Sequence, residues 1–274
     1  MADAVGTSTG LARIEAAFAA AREEGRAALM PYMMGCFPDR QGALEVAHAY
    51  ADGGADLVEV GVPFSDPLAD GPVIHAAATA ALERGADLDG ALAACEALGD
   101  GVPSVAMCYA NMILALGPRR FAGRLGAAGA AGAIVPDLPI EESGEIGEAL
   151  EAEGLALIPL VAPTTPPERR RRICAAARGF VYLVSVAGVT GEREQLPADL
   201  ADLIRAAQQE AEVPVAVGFG IGTPQQAAAV GRVADGVIVG TRLVRVVADA
   251  AGAGAGAADA ASFLGEVRAA LGSG

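Results

Sequence analysis

The chain has 274 residues, 53% of them hydrophobic and 4% aromatic, with a formal charge of −15 at pH 7. That length and apolar content suffice for one large α/β domain with a sizeable core, and the acidic balance makes nucleic acid and anionic membrane poor partners. Every basic residue is an arginine, which excludes both a Schiff-base lysine and a phosphate-loop lysine.

The chain opens without a basic, apolar leader pattern, and no segment approaches the apolar length of a membrane span. A soluble cytoplasmic protein is expected, with residues 1–10 as a flexible N-terminus and 11–272 as a single catalytic domain. Leu11–Glu24 reads as an extra N-terminal helix ahead of the first β-type run, Ala27–Met34. A helix over Ala43–Asp52 carries His48. The second run, Ala55–Pro63, is the most informative, because Glu59 stands between Val58 and Val60. Burying that carboxylate is expensive unless it has a task or a partner. Burial also raises its pKa and readies it to give or take a proton near neutral pH. The run then breaks into a loop holding Asp66 and Asp70 among prolines, with His75 beside it in a capping or packing position.

The third to fifth runs are Pro103–Ala110, Gly132–Pro139 and Leu155–Ala162, separated by helices over Pro118–Ala128 and Gly144–Glu153. The helix Pro167–Ala177 holds Arg169, Arg170, Arg171 and Arg172, read as a solvated face rather than a nucleic-acid patch. The sixth run, Gly179–Ser185, leads into the long polar segment Ser185–Leu196, either a closing lid or a plain surface loop. After the helix Ala198–Ala211 come the seventh run, Val213–Gly218, the helix Pro224–Val233 and the eighth run, Gly236–Gly240. The Ala/Gly-rich stretch Ala250–Asp259 reads as a loose connection or a partly disordered one before a last helix, Ser262–Leu271.

About eight β–α repeats with continuous apolar strands predict the α/β class and a (β/α)8 TIM barrel. An open doubly wound sheet has less support, since no G-x-G-x-x-G follows the first strand. Loops after the strands of such a barrel carry its chemistry. Gly218-Phe219-Gly220-Ile221-Gly222-Thr223-Pro224 and Gly240-Thr241 follow the seventh and eighth runs, where backbone N–H groups can seat a phosphate without a cationic side chain. Glycines also serve plain turns, and that reading stays open. Two histidines do not make a zinc cluster, and Cys36, Cys95, Cys108 and Cys174 read as free buried thiols. No metal is expected.

The run Glu59-Val60-Gly61-Val62-Pro63-Phe64-Ser65-Asp66-Pro67-Leu68-Ala69-Asp70-Gly71-Pro72 resembles the signature of the tryptophan synthase alpha chain family. The likeness continues through Tyr109-Ala110-Asn111, Asp137-Leu138-Pro139-Ile140-Glu141-Glu142-Ser143, Tyr182-Leu183-Val184-Ser185, Gly188-Val189-Thr190-Gly191 and Gly218-Phe219-Gly220-Ile221. It implies a lyase that splits indole-3-glycerol phosphate into indole and glyceraldehyde 3-phosphate in tryptophan biosynthesis. It implies a β chain as partner in an α2β2 heterotetramer, with pyridoxal phosphate on that chain and no cofactor on this one. By the same resemblance Glu59 shuttles the proton, Asp70 supports the indole nitrogen and Tyr182 positions Glu59 or the substrate. Gly191, Gly220, Gly240 and Thr241 hold the phosphate. Tyr32, Ile74, Met107, Tyr109 and Phe219 line the indole pocket, Thr190 belongs to the lid, and Pro63, Asp66, Asn111 and Pro139 dock the partner. Two positions depart from the family pattern: Val186 replaces an arginine before the lid, and Phe37 replaces a carboxylate in the first loop. Two alternatives are a stand-alone lyase releasing free indole and an inactive barrel that activates a partner.

Overall fold

Short apolar runs separated by helices can bury both faces only as parallel strands wrapped by those helices. The computed structural model describes residues 9–184, 198–218 and 220–273. Its strands are β1 (Ala28–Met34), β2 (Val58–Gly61), β3 (Ser104–Met107), β4 (Gly132–Ile134), β5 (Ala156–Ile158), β6 (Leu160–Val161), β7 (Val181–Val184), β8 (Val215–Gly218) and β9 (Gly236–Val239). They form one parallel sheet in the order β5-β4-β3-β2-β1-β9-β8-β7-β6.

The fifth expected strand is therefore two. Pro159 has no N–H to give a ladder, so the segment splits, β5 pairing with β4 and β6 with β7. Because one residue joins the two halves, the ends of the sheet are covalently linked and the barrel closes as eight staves. The Pro159 carbonyl still accepts from the Tyr182 N–H at 3.0 Å.

The wrapping helices are α1 (Gly10–Glu23), α2 (Arg40–Asp52), α3 (Pro72–Glu83), α4 (Leu88–Leu98), α5 (Ala110–Leu116), α6 (Pro118–Ala127), α7 (Gly144–Ala152), α8 (Pro167–Ala176), α9 (Ala198–Glu210), α10 (Pro224–Gly231), α11 (Thr241–Asp249) and α12 (Ala253–Leu271). Side chains alternate along each strand between the helices and the barrel interior. Val58, Val60 and Val62 join the outer core, whereas Leu57 joins Met30, Val105, Ile134, Ile158 and Ile238 inside. Helix α1 plugs the N-terminal end of that interior with Ile14, Phe18 and Ala21, and the Phe18 and Phe180 rings lie 5.6 Å apart.

The Ala/Gly stretch departs from expectation, since α12 begins at Ala253 and runs through most of it. Alanine favours helix intrinsically, and the small residues permit close packing. A Cβ on Gly256 would stand 3.1 Å from Val247 Cα. In the arginine run Arg171 and Arg172 are exposed, Arg169 and Arg172 pair with Glu141, and Arg170, expected on a solvated face, is instead largely covered in a pair with Glu210. The four cysteines are free and buried.

At the plugged end, Arg26 grips Asp56 through two bonds of 2.6 and 2.8 Å, and Asp56 also accepts from the Leu29 N–H at 2.7 Å. Arg268 from α12 reaches Glu24 and Asp56. Removing one partner strands a buried charge, which costs about 3–5 kcal/mol. Asp56→Ala is expected to lower the unfolding free energy by about that much in urea titration, and an unchanged midpoint would show the pair to be dispensable.

Candidate active site at the barrel mouth

Glu59 alternates with Val58 and Val60, so it points into the barrel, near the C-terminal end of β2. It is 0% exposed, and neither carboxyl oxygen has a hydrogen-bond partner among the described residues. Burial pushes its pKa up to about 8. The acid is therefore protonated at neutral pH and can release that proton at modest cost.

Two buried tyrosines flank it. Tyr32 on β1 is the register partner of Glu59. Tyr182 on β7 feels burial first and then the Glu59 charge and Tyr32, all of which hold its phenol protonated. Each ring lies over a glycine. A Cβ on Gly61 would collide with the Tyr32 hydroxyl, and one on Gly218 would stand 2.7 Å from the Tyr182 hydroxyl. Gly61 was not singled out as a site residue in the sequence, and its signal was a glycine directly after the strand valines.

Asp70 lies at the end of the loop after β2. Burial raises its pKa, while the Tyr109 hydroxyl and the charge of His75 lower it. Tyr109 holds this loop: its ring stacks on Phe64 with centroids 5.1 Å apart, and its hydroxyl accepts from the Ala69 N–H at 3.1 Å. Its own phenol is pushed up to about 12, mainly by burial. Tyr109 thus acts on both the loop and Asp70. Ile74 packs with Tyr32 and Met34, and Met107, the register partner of Gly61, packs against the same cluster.

Gly240 and Thr241 open α11, whose first turn has no side-chain cap, so its N–H groups face outward from the helix end. A Cβ on Gly240 would stand 3.5 Å from the Tyr32 Cβ and 3.9 Å from Ile74 Cδ1, which brings this helix end beside Tyr32. Gly220 takes φ +64 in open space, a conformation that excludes most side chains. Gln226 and Thr223 then cap α10 reciprocally. Thr190, Gly191, Phe219 and Val186 lie outside the described residues. Phe37 is half-buried against the outer core.

Pro63, Asp66, Asn111 and Pro139 follow β2, β3 and β4 on one rim. Asp66, Asn111 and Pro139 are exposed, and Pro63 is buried. The Asp137 carboxylate accepts from the Ala110 N–H at 2.9 Å and ties two of these loops together. Among them stand Leu68, 84% exposed, and Leu114, 58% exposed, the only exposed large hydrophobics among the described residues.

A family profile described as "Tryptophan synthase alpha chain" matches residues 18–271. The chain belongs to the tryptophan synthase alpha chain family. The tryptophan synthase alpha chain of Carboxydothermus hydrogenoformans is 47% identical over 86% of this chain and 90% of its own length. That of a Synechococcus species is 46% identical over 90% and 93%. A tryptophan synthase structure from Mycobacterium tuberculosis superimposes with a TM-score of 0.88 at 38% identity, covering 94% of this chain and 98% of its own. The alpha subunit from Legionella pneumophila gives 0.87 at 32%, covering 97% and 99%. As an alpha chain, the protein is a lyase that cleaves indole-3-glycerol phosphate and forms a complex with a β chain. The family's pyridoxal phosphate resides on that β chain, and the alpha chain needs no cofactor of its own. Among the described residues, no helix is long and apolar enough to cross a membrane.

Proposed function

We propose that Glu59 carries the acid–base chemistry of this cleavage and that Asp70 stabilises the charge it creates. The reading rests on a carboxylic acid wholly buried inside the barrel, unpartnered, and raised to a pKa of about 8. Glu59 gives its proton to indole C3, and the ring becomes an indolenine cation whose N–H donates to the Asp70 carboxylate. The Glu59 carboxylate then takes the proton of the adjacent side-chain hydroxyl. The carbon–carbon bond breaks, its electron pair restores the indole ring, and the aldehyde of glyceraldehyde 3-phosphate forms. Glu59 ends the cycle protonated as it began. Tyr182 positions Glu59 or the substrate, and Tyr32, Ile74, Met107, Tyr109 and Phe219 enclose the indole. Gly191, Gly220, Gly240 and Thr241 hold the phosphate, with Thr190 closing over it. The test is indole release from indole-3-glycerol phosphate as a function of pH. The rate should fall as pH rises through about 8, where Glu59 loses its proton. A rate that keeps rising through that region would contradict the acid role.

Asp66, Asn111 and Pro139, with Leu68 and Leu114, form the surface that meets the β chain, and buried Pro63 shapes its loop. Leu68 in the loop after β2 and Leu114 on α5 after β3 support this, because they add exposed apolar surface to the rim that carries Asp66, Asn111 and Pro139. Leu68→Asp with Leu114→Asp should weaken β-chain binding about tenfold or more. Unaltered affinity in calorimetry would move the interface elsewhere. Four buried, unpaired cysteines support a reducing compartment, the cytoplasm.

A further inference from the structure

Glu59 must spend part of every cycle as a carboxylate in an apolar enclosure, yet its oxygens have no donor among the described residues. A buried charge without a hydrogen bond is costly, so the reaction needs a group that can turn toward it when the proton leaves. Two phenols are close enough to feel its charge. Tyr182 faces Glu59 from β7 across the barrel interior, whereas Tyr32 is the register partner of Glu59 on the adjacent strand. Registered neighbours in a parallel pair project to the same face, about 5 Å apart. The Tyr32 phenol is pressed against Gly61, two residues beyond Glu59 on the same strand, where no larger residue fits.

The ionisable groups acting on Tyr32 are Asp70, then Glu59, Tyr109 and Tyr50. Tyr50 on α2 donates its hydroxyl to the Tyr32 carbonyl at 3.2 Å and is committed there. Tyr109 is committed to the Ala69 N–H and Asp70. His75 acts on Asp70 from α3. Tyr32 alone is influenced by both carboxylates while having no hydroxyl partner among the described residues.

We propose that the Tyr32 hydroxyl is a positioning donor for this reaction, forming a hydrogen bond to the Glu59 carboxylate when Glu59 has delivered its proton to indole C3. The proposal rests on the proton-shuttle reading of Glu59. It gives Tyr32 a task beyond enclosing the indole: its ring packs and its hydroxyl sets the acidity of the shuttle. A donor to the charged form lowers the pKa of an acid, so deleting it makes Glu59 a weaker acid.

The test uses the chain with its β partner. Tyr32→Phe keeps the ring and removes only the hydroxyl. Its kcat for indole-3-glycerol phosphate cleavage should fall about tenfold, its KM should stay within about twofold, and the alkaline limb of its pH profile should move up by about one unit. A residue that merely packs would raise KM and leave that limb in place, an outcome that overturns the proposal, as does a kcat and limb equal to wild type. Glu59→Gln is run beside it. If Glu59→Gln is inactive while Tyr32→Phe behaves as wild type, the shuttle stands and the role of Tyr32 falls. If Glu59→Gln turns over normally, the shuttle reading itself fails and this proposal with it.

Discussion

Glu59→Gln is expected to lower indole release by about a thousandfold or more while the barrel stays folded. Glutamine keeps the shape of the side chain but cannot exchange a proton at working pH, and positioned proton transfer is worth about 10²–10⁴-fold. In the proposed mechanism one group serves both halves of the cleavage, so its loss should fall at the upper end. Wild-type turnover in this variant would remove Glu59 from the chemistry. The same substitution has a signature that does not depend on activity. Glu59 is raised from 4.5 in a free chain to about 8 in the fold. The folded state therefore holds a proton that the unfolded state releases between those values, and stability drains away as pH rises from about 4.5 to about 8. Below 4.5 both states are protonated and nothing is lost. Glutamine has no such titration, so the stability of Glu59→Gln relative to wild type should grow by several kcal/mol across that window. Urea unfolding at the two ends of the window measures it, and parallel behaviour of the two proteins would mean that Glu59 is not a strained acid.

Asp70→Ala is the second large effect. Protonating indole C3 puts positive charge on the ring nitrogen, and a carboxylate beside that nitrogen lowers the barrier where the charge appears. Removing such a preorganised group typically costs about 10²–10³ in kcat. The loop is independently held by the stack of Phe64 on Tyr109 and by the bond from the Ala69 N–H, so the alanine variant should keep its KM within a few-fold and lose turnover. Asp70→Glu restores charge at a longer reach and should recover part of the rate. Steady-state kinetics of both variants decide it: full kcat in the alanine form would reject the electrostatic role.

Much of this was legible in the residues because the barrel's pattern is local. Glu59 stands out as a lone carboxylate between strand valines, and β–α alternation predicts the eight staves. Pro159 was visible but its consequence was not, since a strand that changes partners halfway needs knowledge of both neighbours. The Ala/Gly tract before the last helix misled for a related reason. Its glycines look like loop residues until Gly256 is seen against Val247, where the helices meet too closely for a side chain. The resemblance implies Tyr109 as pocket lining; its contacts with Phe64 and Ala69, which only the fold reveals, also make it a clasp on the Asp70 loop. Leu68 and Leu114 carried no periodic signal, because exposure is a property of the folded rim and not of the sequence around it. Gly61 could have been found by asking which ring needs its missing side chain.

The most direct measurement is an infrared titration of the Glu59 carboxyl, isolated as the difference between wild type and Glu59→Gln. The carboxylic-acid band should persist through neutral pH and convert to carboxylate with a midpoint of about 8. A midpoint in the ordinary glutamate range, near 4.5, would mean an already ionised side chain with no proton to deliver, and would contradict the account.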